Sequence, residues 1–172
     1  MIDRKLENAL NDQINKELHA WYSYLSKSAY WRTRNLNGFA TFMEGHAREE
    51  QAHAQRLINY VLDRGGKVVL QSISAPDTEF SSLLDTFVKS MEQEKENTRA
   101  IYELYDLAKS INDYSTVAAL QWFLDEQVEE EKVMTEALGL MQFAGDDKGA
   151  LLALNQQFGQ QAAAAAAAEP EK

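Results

Sequence analysis

The chain has 172 residues, a formal net charge of −10 and no cysteine, so disulfides, zinc knuckles, iron–sulfur clusters and thiol catalysis are excluded. Hydrophobic residues make up 45% and charged residues 26%, ordinary values for one globular domain with a sizeable core. The acidic balance argues against a general nucleic-acid binder and against anionic membrane surfaces, and it suits a protein that attracts cations.

The chain contains only two prolines, Pro76 and Pro170, and long segments lack both proline and glycine, which predicts long helices. Asp3 is a candidate N-cap for a first helix running to about Thr33, with the stripe Leu6, Leu10, Ile14, Glu17, Trp21, Tyr24, Ser28, Trp31. No apolar leader precedes it and no stretch has the length of a membrane-spanning helix, so the expected location is the cytoplasm, with no membrane partner. A second helix follows Asn35-Leu-Asn-Gly38 and stops at Gly65-Gly66, with the stripe Phe39, Met43, His46, Glu50, His53, Leu57, Tyr60. The long connection after it holds Val68-Val-Leu70, Ile73 and Pro76, and is expected to be extended and to pair with something.

A third helix is predicted from Asp77 or Ser81 to about Ser110, with the stripe Phe80, Leu84, Phe87, Met91, Glu94, Thr98, Ile101, Tyr105, Ala108. A fourth follows Asn112-Asp113 to about Phe143, with the stripe Val117, Leu120, Leu124, Gln127, Glu130, Met134, Leu138, Met141. Gly145-Asp-Asp breaks the chain before a short amphipathic helix carrying Leu151, Leu152, Leu154 and Phe158. Residues 1–159 are read as one bundle. Residues 160–172 form a low-complexity tail with alanine throughout Ala162–Ala168, expected to fray or be disordered because alanine buries little area. Short, long and short links between four long helices predict an all-α bundle with one long crossover joining two parallel helices and a short fifth helix. Trp21, Tyr22, Tyr24, Tyr30 and Trp31 spread around the first helix, more aromatic surface than one bundle is expected to bury, which favours a homo-oligomer.

Each long helix interrupts its apolar stripe with acids or amides. Glu50 and His53, three apart, point the same way from one helix and offer a carboxylate oxygen and an imidazole nitrogen to one divalent ion. Glu-x-x-His alone is common on surface helices. The two halves of the chain, however, repeat a spacing: Glu17 to Glu50 and Glu94 to Gln127 each span 33 positions, and Glu17 to His53 and Glu94 to Glu130 each span 36. A bundle with pseudo-twofold symmetry brings Glu17, Glu50, His53, Glu94 and Glu130 to one level, with Gln127 beside them. A single inward glutamate reads most simply as a hydrogen-bonded core polar group; the matched set reads as a metal site. Four ionised glutamates carry a charge that two divalent ions cancel, and oxygen-rich ligation with few histidines suits iron or manganese better than zinc or copper.

At this point the sequence resembles the ferritins, most closely the prokaryotic non-haem ferritins, through Glu17-x6-Tyr24, Glu49-Glu50-x-x-His53, Glu94 and Trp122-x3-Glu126-Gln127-x-Glu129-Glu130. The resemblance covers about Ile2 to Phe158. It implies that Glu17, Glu50 and His53 hold a first iron, with Glu50 bridging, and that Glu94 and Glu130 hold a second, with Gln127 close by and Tyr24 beside the centre. It also implies a third iron site on the cavity side from Glu49, Glu126 and Glu129 with Glu130. The implied activity is oxidation of Fe²⁺ by O₂ or H₂O₂ and storage of ferric mineral in a shell of 24 subunits. Gln51 and Gln127-x-x-Glu130 stand where bacterioferritins have a haem methionine and a second Glu-x-x-His, so no haem is expected. Val117 and Leu120 stand where animal ferritins carry acidic threefold-pore residues, which puts that route for iron in question.

Two readings compete with storage. One is a di-iron or di-manganese peroxidase or catalase; the other is a shell or interaction bundle that binds metal incidentally.

Overall fold

The structure is a computed structural model that describes residues 2–168, without the side chain of Ala168. The chain folds into α1 (Arg4–Arg32), α2 (Asn37–Asp63), α3 (Leu83–Ser110), α4 (Tyr114–Ala144) and α5 (Lys148–Ala168), the last being the shortest. Four helices start on a side-chain cap: Asp3 accepts from the Lys5 and Leu6 amides, Ser82 from Asp85, Asp113 from Thr116 and Asp147 from Ala150. Leu36, at the head of α2, has no capping group of its own. Asn155 of α5 supplies one, its Oδ1 accepting from the Phe39 amide at 3.1 Å.

That capping contact requires glycine. A β-carbon on Gly38 would lie 1.6 Å from the Asn155 carbonyl oxygen, and one on Gly159 would lie 3.1 Å from the Gly38 Cα. α2 and α5 therefore cross backbone against backbone.

Contacts at the helix ends fix the topology. The end of α2 meets the start of α1, where the Lys67 amide donates to Glu7 Oε2 at 3.1 Å. Phe80, just before α3, packs edge-on against Tyr30 near the other end of α1, with ring centres 4.8 Å apart. The connection thus crosses the length of the bundle, and α3 runs parallel to α2. Arg64 pairs with Asp113 at 2.9 Å, joining the end of α2 to the start of α4, so those two helices are antiparallel.

The connection is extended but forms no strand among the described residues. It pairs instead with two asparagine side chains of α1. Asn11 Nδ2 donates to the Lys67 carbonyl at 2.9 Å, and its Oδ1 accepts from the Val69 amide at 2.7 Å. Asn15 repeats the pattern with the Val69 carbonyl at 3.2 Å and the Gln71 amide at 2.9 Å. The match is geometric: four helical residues rise about 6 Å, and two extended residues advance about 6.6 Å.

The core is split in two. Leu6, Leu10, Ile14, Leu57 and Ile101 belong to one apolar cluster, and Trp31, Phe39, Met43, Phe87 and Met134 to the other. Between them on the same stripes lie Glu17, Glu50, His53, Glu94, Gln127 and Glu130, all buried.

Two expectations change. Tyr24, Tyr30 and Trp31 are buried within the subunit and Trp21 is half-buried, because α1 packs against both α2 and α3 while Phe80 covers Tyr30; of the five aromatics only Tyr22 is exposed. The most exposed large apolar side chains lie off α1, led by Phe143, Tyr114 and Val128. The alanine run continues α5 through Ala168, in keeping with alanine's helix propensity and the burial of Ala162, so position 160 marks no structural change. Residues 169–172 of the expected tail lie outside the described residues.

Candidate metal centre

The polar layer is built from one residue or pair per helix. α1 supplies Glu17, α2 Glu50 and His53, α3 Glu94, and α4 Gln127 and Glu130. Ligand atoms of Glu17, Glu50 and His53 all lie within 4.8 Å of one another. His53 Nδ1 is 3.6 Å from Glu50 Oε2 and 3.9 Å from Glu17 Oε2, too far for hydrogen bonds but suited to sharing one ion.

Glu94 receives the Tyr24 hydroxyl at Oε1. Glu130 accepts from His46 Nδ1 at 3.1 Å, and the same nitrogen lies 3.2 Å from Glu49. Gln127 donates to Thr98 Oγ1 at 3.1 Å and to the Glu94 carbonyl at 3.4 Å, so its amide nitrogen is engaged with α3.

Electrostatics in this layer favour the binding of cations. Burial pushes Glu50 well above the usual carboxylate range, and the charges of Glu94 and Glu17 push it further. Burial raises Glu94 to about 7, with Glu130 adding to the rise and the Tyr24 hydrogen bond opposing it. Burial also raises Tyr24 well above its ordinary value, helped by the charges of Glu94 and Glu50. For His46, burial opposes protonation, but hydrogen bonds to Glu130 and Glu49 hold it at about 10.

Glu50 Oε2, His53 Nδ1 and Glu94 Oε2 are buried and have no hydrogen-bond partner among the described residues. Orphaned buried acceptors of this kind are costly without a cation. The donor set of carboxylates and one imidazole, in a layer closed by apolar side chains, fits first-row divalent ions.

A second group lies alongside. His46, Glu49 and Glu130 also bring ligand atoms within 4.8 Å of one another. They line a cavity of about 510 Å³ together with Glu126 and Glu129, bounded on the far side by α5. Burial raises the Glu126 carboxyl, and Glu130, Glu129 and Glu49 add to the rise against the opposing effect of His53. Glu126 and Glu129 share this cavity but stand outside the close group.

Several functional partners are absent from the stripe pattern. Gln13 donates to Glu17 Oε1 at 2.8 Å, and Asn97 Nδ2 donates to Glu17 Oε2 at 3.1 Å. Gln13 lies one turn before Glu17, and Asn97 lies three residues after Glu94; an amide one turn from an inward glutamate was the available signal. Thr98 donates to Glu131 at 2.6 Å, so Glu131 is tied to α3 and is not a free surface charge. Trp122 packs edge-on against His53, ring centres 5.3 Å apart, and the Arg56 guanidinium lies 4.1 Å from the centre of the Trp122 ring.

Comparison with known proteins gives a consistent result. The family model described as Ferritin-like domain matches residues 7–144. The bacterial non-heme ferritin of Staphylococcus aureus (strain USA300) is 41% identical over 159 residues, covering 92% of this chain and 96% of that one. Its Staphylococcus epidermidis counterpart is 41% identical over 147 residues, covering 86% and 89%. Among solved structures, the open pore ferritin of the hyperthermophilic archaeon Archaeoglobus fulgidus superposes with a TM-score of 0.91 at 36% identity, covering 92% of this chain and 98% of the other. A humanized archaeal ferritin gives the same TM-score at 38% identity, covering 92% and 96%.

Proposed function

The chain belongs to the prokaryotic non-haem ferritins and serves iron storage; on that premise we propose that it oxidises Fe²⁺ at the buried carboxylate layer and deposits the ferric product as mineral inside a 24-subunit shell. Iron is here both substrate and cargo.

The single observation that carries the site is the set of buried ligand atoms without a hydrogen-bond partner among the described residues, Glu50 Oε2, His53 Nδ1 and Glu94 Oε2, lying between two apolar cores. Glu17, Glu50 and His53 bind the first ion. Glu94 and Glu130 bind the second, with Glu50 spanning both and Gln127 beside them. Tyr24 orients Glu94. Two bound Fe²⁺ supply two electrons, which reduce O₂ to H₂O₂ or H₂O₂ to two waters, with two protons taken up in either case. A carboxylate shared between two ions keeps them roughly 3.5–4 Å apart, close enough to act on one oxidant.

Glu49, Glu126 and Glu129, with Glu130, receive an ion in transit on the cavity side. No haem takes part, and neither nucleic acid nor a membrane is a partner. The alanine-rich stretch continues α5 through Ala168 and is part of the bundle's last helix. The working compartment is the cytoplasm. Exposure of Phe143, Tyr114 and Val128 on the isolated subunit supports burial of those faces between copies.

The test is aerobic addition of Fe²⁺ to the assembled metal-free protein. Ferric absorbance should rise far faster than without protein, iron should co-sediment with a particle of 24-subunit mass, and far more iron should be retained than the ligands alone can hold. Oxidation without retention would favour peroxide chemistry over storage, and a monomer or dimer at physiological salt would exclude the shell.

A further inference from the structure

Lys27 is buried where the helix pattern calls for an apolar side chain. It lies on α1, three residues after Tyr24, and only 2% of it is exposed. Its ammonium is 4.6 Å from the centre of the Tyr24 ring. Its hydrogen-bond partner among the described residues is the neutral amide oxygen of Gln93, at 3.4 Å. A buried ammonium is normally paired with a carboxylate. Here the anions that act on it most are Glu94 and Glu50, with Tyr24 standing between it and Glu94. The ligand cluster is therefore the counter-charge of Lys27, at a distance and screened little by solvent.

We propose that Lys27 is a positioning residue for the iron chemistry: its positive charge, held against Tyr24, loosens the ion bound by Glu94 and hastens departure of the ferric product. This rests on the reading of Glu94 as a ligand of the second ion. Four ligand carboxylates and two Fe²⁺ cancel one another, and each oxidation adds one positive charge. A nearby buried cation opposes Fe³⁺ more than Fe²⁺, in the ratio of their charges. At the range set by one intervening aromatic ring, and with an effective dielectric constant of about 20, the repulsion is worth at least tenfold in affinity. A neutral side chain of the same length would hold the ferric product longer and leave the centre occupied.

The experiment titrates the assembled metal-free protein with Zn²⁺, which binds without redox chemistry, by calorimetry. Lys27→Met and Lys27→Gln remove the charge and shorten the side chain by one atom; Lys27→Arg keeps the charge. Both neutral variants should bind the second zinc about tenfold or more tightly, with a smaller change at the first, while Lys27→Arg stays within twofold of the unmodified protein. After one aerobic Fe²⁺ pulse, both neutral variants should recover fast oxidation more slowly. Second-site affinities within twofold of the unmodified protein in both neutral variants, or equal tightening in Lys27→Arg, would overturn the proposal. Glu94→Gln tests the premise separately: it should lose one of two zinc ions, and two retained ions would refute the ligand assignment itself.

Discussion

Tyr24 and Glu94, 70 positions apart in sequence, meet between α1 and α3, where the tyrosine hydroxyl donates to Oε1 and leaves Oε2 buried without a partner among the described residues. One carboxylate oxygen is fixed so that the other is free. Tyr24→Phe should therefore weaken the second ion by roughly 10- to 100-fold, the usual effect of losing a residue that orients a metal ligand. The metal-free protein should also lose about 2 kcal/mol at pH 8 and less at pH 5, where Glu94 carries its proton. Zinc calorimetry and thermal unfolding check both; unchanged second-site affinity would remove Tyr24 from the ligand geometry.

The Glu94 carboxyl predicts how the metal-free protein responds to pH. Its folded value of about 7 lies above its ordinary 4.5, chiefly through burial and then through the Glu130 charge. A carboxyl raised in this sense destabilises the fold once it ionises, so stability falls as pH rises from about 4.5 to about 7 and remains low above that. Glu50 acts with the same sign. Glu94→Gln should raise stability at pH 8 by up to about 3 kcal/mol and leave it nearly unchanged at pH 4.5. Divalent ions should release protons on binding, more at pH 6 than at pH 8. Equal shifts in melting temperature at both pH values would contradict this account.

The carboxylates beside the centre should matter after oxidation. Glu49 lies about 100° around its helix from Glu50, so the two cannot face one ion. Replacing Glu49, Glu126 and Glu129 with alanine should leave two ions bound per subunit and change the multi-turnover phase or the oxygen consumed per iron. Unaltered multi-turnover kinetics in the triple variant, with two ions per subunit in the unmodified protein, would leave these residues as ordinary solvated acids.

Gly38 gives a stability test remote from the metal. Because a β-carbon there would fall 1.6 Å from the Asn155 carbonyl oxygen, Gly38→Ala must push α5 off the head of α2 and break the Asn155 cap of the Phe39 amide. A loss of about 1–3 kcal/mol is expected, the usual range for forced overpacking, with earlier proteolysis of α5 than of the bundle. Unchanged stability would show that the two helices separate freely.

Much of this architecture was legible in the sequence because helical periodicity and the repeated spacing report on the same face. Glu17, Glu50, His53, Glu94, Gln127 and Glu130 were placed by residue counts alone, and all six are buried in one layer. Gln13 and Asn97 were missed because amides fit equally well on solvated faces, and only the fold shows them holding Glu17. Lys27 was missed because a lysine is ordinarily read as surface, although its three-residue offset from Tyr24 put it on an inward face. The aromatic load of α1 was misjudged because one helix can serve two neighbours, and a stripe analysis gives each helix a single partner.

The asparagine pairing of the crossover makes its length a matter of register. Lys67, Val69 and Gln71 turn their backbone polar groups toward α1, and Val68 and Leu70 alternate with them. A chain edited by one residue between 67 and 71 would present the opposite backbone edge to Asn11 and Asn15, whereas an edit of two would restore the alternation. Beyond Gln71 neither asparagine reads the backbone, so residues added there meet no such parity rule. A graft or tag inserted into this crossover belongs after that point, where its length can be odd or even.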